Sequence, residues 1–296
     1  MKQSIFLLFS LVVLMVSCKN NQATKPQVGI WRGVLTLHPG KGLPFNFELT
    51  TEGKIKIFNA DEVIDVEEVT INGDSISFRL PVFDAVIKGT FTRNTIDAFY
   101  NKNPKNENIP FHATLGDTTR FPISSRGSKV VAGVWEAQFD YDKPGAYVAK
   151  AVFTQDGQKL KGTFLTTTGD YRYLEGVVDG DSLKLSTFDG AHAFLFIAKV
   201  TDSTLTGLFH SGKEVTEKWK ARLNSGYDLP DPYLLTALKP GYDKLAFSFP
   251  GLDGNLVSLE DEMFEGEVVI LQIMGSWCPN CLDETKYLAD YYQKNK

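Results

Sequence analysis

Two cysteines near the end of the chain, Cys278 and Cys281, stand one helical turn apart in the stretch Trp277-Cys278-Pro279-Asn280-Cys281. A pair at this spacing supports three chemistries: dithiol–disulfide exchange, half of a zinc site, or a structural bridge. Exchange requires a thiolate, because the thiolate is the attacking nucleophile. The unpaired amides and positive end of a helix stabilise a thiolate placed at its first turn. A second cysteine one turn on then resolves the mixed disulfide within the same chain.

The neighbouring residues supply such a setting. Val268 to Met274 is an apolar, β-branched run of strand length, interrupted only by Gln272. After Cys281, Leu282, Leu288 and Tyr292 recur near helical spacing among Asp283, Glu284, Lys286 and Asp290. The expectation is a buried strand over 268–274, a turn carrying both cysteines, and an amphipathic helix.

With those features in place, residues 245–296 resemble the opening half of a TlpA/ResA-type thioredoxin-fold domain, the extracytoplasmic branch of that superfamily. The resemblance rests on Phe247-Ser248-Phe249, Asp253-Gly254-Asn255, Val257-Ser258-Leu259, the run 268–274 and Trp277-Cys278-Pro279-Asn280-Cys281. It implies that Cys278 attacks and Cys281 resolves, with Trp277 packed beside the dithiol. Pro279 and Asn280 would set the loop and so tune its potential. No cofactor is implied beyond the redox-active disulfide Cys278–Cys281. Gly266-Glu267 departs from the family's usual Gly-Lys, and Thr285-Lys286 from its proline-containing step. Gln272 stands six residues before Cys278, where cytoplasmic thioredoxins bury an aspartate. Glutamine does not titrate, which leaves Glu284 as the group to move protons at Cys281, or else as a solvated carboxylate. A whole thioredoxin fold needs further strands, a covering helix and a cis-proline loop, and no proline follows Pro279. The segment 244–296 is therefore expected to be an incomplete α/β thioredoxin-like fold with open strand edges, from a truncated or partial gene product.

The N-terminus bears on the third cysteine. Lys2 precedes an apolar core from Ile5 to Val16, too short for a comfortable membrane span and of signal-peptide length. It ends in Met15-Val16-Ser17-Cys18 and then Lys19-Asn20-Asn21-Gln22, which resembles a bacterial lipoprotein lipobox with Cys18 as the lipidated residue. The other reading is an ordinary secretory signal whose cysteine is incidental. With Cys18 carrying lipid, the exported body keeps one closely spaced pair. A bridge across so short a loop removes little unfolded-state entropy, so chemistry explains the pair better than stability does.

Between these ends lies β structure. Residues 28–116 alternate apolar and polar over short runs punctuated by Gly, Asn and Asp. Strands are expected near 30–37, 44–50, 54–58, 63–71, 75–80, 83–91, 95–100 and 109–115. Gly29-Ile30-Trp31 is echoed by Gly133-Val134-Trp135, and Asn72-Gly73-Asp74-Ser75-Ile76 by Asp179-Gly180-Asp181-Ser182-Leu183, at offsets of 104 and 107 residues. Phe83-Asp84-Ala85 answers Phe188-Asp189-Gly190 in the same order. Each unit fits a small barrel or strongly curved sheet, and the Gly-x-Trp opening resembles that of lipocalin-like barrels. Trp31 and Trp135 are expected as core plugs. His38, His112, His192 and His210 are scattered without ligand spacing, so none is assigned to a metal. A net charge of −5 without a dense Lys/Arg cluster argues against nucleic acid as a partner.

The reading is thus a mainly β chain: two tandem antiparallel β-barrel-like modules followed by the incomplete α/β thioredoxin-like fold. Its parts are a signal peptide (1–17), a lipidated tether (18–27), modules at 28–122 and 129–224, a linker (225–243) and the redox segment (244–296). The implied activity is that of a membrane-anchored thiol-disulfide oxidoreductase in the bacterial cell envelope, facing the periplasm. Its partners would be protein thiols and disulfides, with electrons from a membrane donor. The rival reading is a lipid-anchored β-barrel binding or adaptor protein with a vestigial thioredoxin remnant.

Overall fold

The computed structural model describes residues 25–81, 85–102, 108–275 and 278–295. The expected signal peptide, Cys18 and Trp277 lie outside the described residues, as do Phe83 and Asp84 of the third repeat landmark.

The first sheet comprises β1 (Gly29–His38), β2 (Lys41–Leu49), β3 (Ile55–Asn59), β4 (Glu62–Val66), β5 (Glu68–Asn72), β6 (Ser75–Arg79), β7 (Val86–Phe91), β8 (Thr95–Asn101) and β9 (Ile109–Leu115). The order is β4-β3-β2-β1-β9-β8-β7-β6-β5, so its first and last strands are neighbours. Alternation sends Leu35 and Leu37, Phe45 and Phe47, and Ile55 and Ile57 into one core. The single strand expected over 63–71 is two strands, broken at Glu67. Valines and isoleucines on both sides of that corner conceal it from a reading by period alone.

The second sheet comprises β10 (Gly133–Phe139), β11 (Tyr147–Asp156), β12 (Lys159–Thr166), β13 (Gly169–Asp170), β14 (Leu174–Asp179), β15 (Ser182–Phe188), β16 (Ala193–Val200), β17 (Thr204–Ser211) and β18 (Val215–Leu223). Here β11 also pairs with β12, which closes eight strands into a ring. The first sheet keeps β4 and β5 as unpaired edges. Both sheets use the same device at their start. Trp31 Nε1 donates to Gln27 O at 3.0 Å and Trp135 Nε1 to Val131 O at 2.8 Å, and both rings are buried. The matched hairpins turn on Gly73 (φ +60°) and Gly180 (φ +63°), positions that glycine occupies without a Cβ penalty.

The closed barrel walls off the open sheet. Val177, Phe188, Ala193 and Leu195 belong to the first core, whereas Val178, Leu183, Phe194 and Phe196 belong to the second. Strands β14 to β16 are therefore buried on both faces. This explains the unbroken apolar run Ala193-Phe194-Leu195-Phe196-Ile197-Ala198. Polar groups fix the register of the two layers. Asn59 donates from Nδ2 to Phe188 O (2.9 Å) and accepts from Phe188 N (3.1 Å), imitating a strand neighbour. Arg120 reaches Phe58 O, Ser186 O and Asn59 Oδ1 from the segment between the sheets.

Asp179 pins that same segment, accepting from Ser124 N, Ser124 Oγ and Ser125 N. The Ser124 hydroxyl, with the two serine amides, holds its carboxyl well below the usual carboxylate range. A depressed folded-state value adds stability above the unfolded value of about 3.9 and loses it as pH falls further. Asp179→Asn is accordingly expected to be less stable than the parent at pH 7. Urea titrations at descending pH should show the gap narrowing below about pH 4; a constant gap would contradict the assignment.

Beyond the barrels, regular structure is sparse. Short 3-10 turns cover Pro232–Leu234 in the linker and Glu262–Phe264 beyond it. A hairpin pairs β19 (Ser248–Pro250) with β20 (Leu256–Ser258), its bend closed by Asp253 accepting from Asn255 N at 3.0 Å. The helix α1 spans Pro279–Asn295. The strand expected over 268–274 is not formed, and Val268 and Ile273 are 94% and 92% exposed. A strand exists through its ladder bonds, and among the described residues none lies alongside this run. No described helix is long and apolar enough to cross a membrane.

Candidate functional site

The helix α1 starts at Pro279, where a missing amide hydrogen costs nothing and the fixed φ already suits a helix. Cys278 is thereby placed at the N-cap. Its sulfur accepts from Cys281 N at 3.3 Å, and its carbonyl accepts from Leu282 N at 3.1 Å. The amide that a serine cap would satisfy here points at sulfur instead. The two cysteines are joined as a disulfide with Cα atoms 5.3 Å apart.

Cys281 sits in a polar cluster. Gln272 Nε2 donates to Cys281 O (3.1 Å) and to Glu284 Oε2 (2.9 Å). Thr285 Oγ1 lies 2.7 Å from Cys281 O and 2.8 Å from Gln272 Oε1, its one proton serving either. The fold therefore joins Gln272 and Glu284 directly, beside Cys281. Glu284 is exposed, and its bond to Gln272 links it to the Cys281 carbonyl. Thr285, which sequence comparison marks only as a missing proline step, orients the amide that holds this cluster. Its place four residues after Cys281 is the one signal for that role, because i and i+4 share a helix face.

A second group that sequence reasoning misses is Arg172, which joins three parts of the chain. Its Nη1 lies 2.7 Å from Asp283 Oδ2 of α1 and its Nη2 2.6 Å from Glu62 Oε1 of β4. Its Nε lies 3.3 Å from Asp189 Oδ2, after β15. Burial alone would raise the Asp189 carboxyl, but the His192 hydrogen bond and the Arg172 charge bring it below its ordinary value. Asp61 and Glu62, adjacent in sequence, each bind a cation of the second barrel: Lys161 (2.6 Å) and Arg172.

The first turn of α1 lies beside β13 of the second sheet, where a Cβ on Gly169 would stand 3.4 Å from Asn280 Nδ2. Asn280 borders a cavity of about 270 Å³ with Tyr147, Thr166, Gly169 and Tyr171. Tyr147 OH donates to Glu217 Oε2 at 2.7 Å and lies 2.5 Å from Tyr171 OH. Burial pushes the Tyr171 phenol up to about 12; its bond to Tyr147 opposes the rise, and the Glu217 carboxylate adds to it. Both phenols thus serve as hydrogen-bond donors and not as bases. The structure brings Cys278, Cys281, Asn280 and Glu284 together at one end of α1, whereas Trp277 and Cys18 lie outside the described residues. No family model, curated protein or solved structure matches this chain.

Proposed function

We propose that the chain is a thiol-disulfide oxidoreductase of the TlpA/ResA type, carried on a β scaffold and held to a membrane in the cell envelope by lipid on Cys18. The observation that carries the reading is the Cys281 amide donating to Cys278 Sγ at the start of α1. In the reducing direction, the Cys278 thiolate attacks one sulfur of a substrate disulfide. A bond forms between Cys278 and that sulfur, and the other substrate sulfur leaves as a thiolate. Deprotonated Cys281 then attacks Cys278 Sγ, the second substrate sulfur departs, and the Cys278–Cys281 disulfide forms. Two electrons pass to the substrate, and a membrane-side dithiol donor restores them. Glu284, tied to Gln272 beside Cys281, takes the Cys281 proton through solvent.

The reading is tested by trapping. Cys281→Ser is expected to accumulate a mixed disulfide with glutathione at Cys278, visible as one added glutathione by mass spectrometry. Cys278→Ser should form none at a comparable rate. Equal adducts on the two variants would refute the assignment of roles.

A second reading, a lipid-anchored β adaptor with an inactive remnant, is favoured by one observation. The run 268–274 makes no ladder, while both large sheets enclose packed cores. Under that reading neither variant would form an adduct faster than a model thiol.

A further inference from the structure

None of the described side chains of α1 is buried: Leu282 is 37% exposed and Tyr287 66%. Apolar burial therefore does not hold the helix to the β modules, and a helix of this length is marginal in water by itself. Polar contacts attach it instead, at the end that carries the cysteines. Gly169 lies against Asn280, and three residues on, Arg172 Nη1 donates to Asp283 Oδ2 at 2.7 Å. The short arm from Gly169 to Arg172 thus meets α1 between the two cysteines and again two residues after Cys281.

The arm is shaped for that contact. Thr166 Oγ1 donates to Gly169 O (2.9 Å), and Arg172 N to Asp170 Oδ1 (2.8 Å). Arg172 itself has φ +61°, a left-handed conformation that residues other than glycine adopt at a cost. Such a conformation persists only where its surroundings fix it, and it gathers at functional sites. The guanidinium is 16% exposed, with Glu62 Oε1 at 2.6 Å and Asp189 Oδ2 at 3.3 Å on its other nitrogens. One cation therefore faces three carboxylates, from β4, from the turn after β15 and from α1. His192 Nδ1, 2.8 Å from Asp189 Oδ2, offsets part of that charge only when protonated. Without Arg172, like charges would confront one another across a poorly screened gap, and attraction of the helix would become repulsion.

We infer that Arg172 is the positioning residue of the redox centre, the clamp that holds the cysteine-bearing turn of α1 against both β modules. Glu62 and Asp189 anchor the guanidinium in the two modules, and Asp283 brings the helix to it. The purpose of the clamp rests on the oxidoreductase reading. A protein disulfide arriving at Cys278 also meets the arm beside Asn280, whereas a small disulfide needs only the thiol.

Hydrogen exchange on the oxidised full chain carrying Cys18→Ser reads the docking without any turnover. Asp283→Asn leaves Glu62 and Asp189 paired, and is expected to speed exchange in α1 about tenfold while amides around Trp135 and Trp219 keep their rates. Arg172→Ala should also free α1, and the double variant should exchange no faster than Arg172→Ala alone. That non-additivity separates the clamp from any effect of Asp283 on the helix itself. The pre-reduced chains are then reacted with insulin and with glutathione disulfide. Both single variants should slow about tenfold or more with insulin and keep the parent rate with glutathione disulfide. Unchanged α1 exchange in Asp283→Asn, additive effects in the double variant, or equal losses with the two disulfides would each overturn the inference. A parent chain inert towards both disulfides would refute the oxidoreductase reading alone, and the exchange rates would still decide the clamp.

Discussion

Arg120→Ala is expected to lower the unfolding free energy by about 3–5 kcal/mol, the cost of removing one member of a buried charged network. The guanidinium is 4% exposed and donates to Phe58 O (2.7 Å), Ser186 O (3.1 Å) and Asn59 Oδ1 (3.2 Å). Those acceptors come from both sheets, and alanine would leave them facing a dry gap. Burial brings Arg120 down to about 10, against the pull of the Glu175 carboxylate 3.6 Å away, so it is charged at neutral pH. Lysine would not restore the loss, because one ammonium cannot reproduce a planar fork aimed at three acceptors. A denaturant titration checks the value, and a double-mutant cycle with Asn59→Ala should show strong coupling between the two residues. A cost below about 1 kcal/mol would mean that the seam is held by apolar packing alone.

Phe188→Ala is expected to cost a similar amount, about 3–5 kcal/mol, through a cavity in the first core. Phe188 belongs to β15 of the closed barrel, yet its ring stacks on Phe45 with centroids 4.4 Å apart and meets Tyr100 edge-on at 5.2 Å. It is fully buried. The loss should fall unevenly. Hydrogen exchange should quicken in β2 and β8 while the interior around Trp135 and Trp219 stays protected. Equal loosening of both sheets would contradict the assignment of Phe188 to the open sheet's core.

Much of the fold is legible in the sequence because period-two alternation marks the strands of the first sheet within a few residues, except for the break between β4 and β5. The repeat of Gly29-Ile30-Trp31 in Gly133-Val134-Trp135 carries a physical device, an indole bonded to a carbonyl four residues back. What is hidden depends on pairs far apart in the chain. Arg120 and Ser186, Phe45 and Phe188, Arg172 and Asp283, and His38 and His210 meet only once the sheets are packed. The run 268–274 shows the opposite failure. Its composition is that of a buried strand, but composition does not provide the neighbour that a strand needs. The cysteine pair is the most legible part of the site, because spacing and Pro279 place it at a helix start. Gln272, Glu284 and Thr285 are individually visible, but their mutual hydrogen bonds are not.

The proposed role of the α1 N-terminus is to make Cys278 the reactive thiol. Its most direct test is alkylation of the reduced chain with a mass tag across pH, carried out on Cys281→Ser and Cys278→Ser in parallel with Cys18→Ser in both. Cys278 is expected to react with a midpoint clearly below the free-thiol value of about 8.5, and Cys281 at or above it. Two thiols titrating alike near that value would contradict the claim.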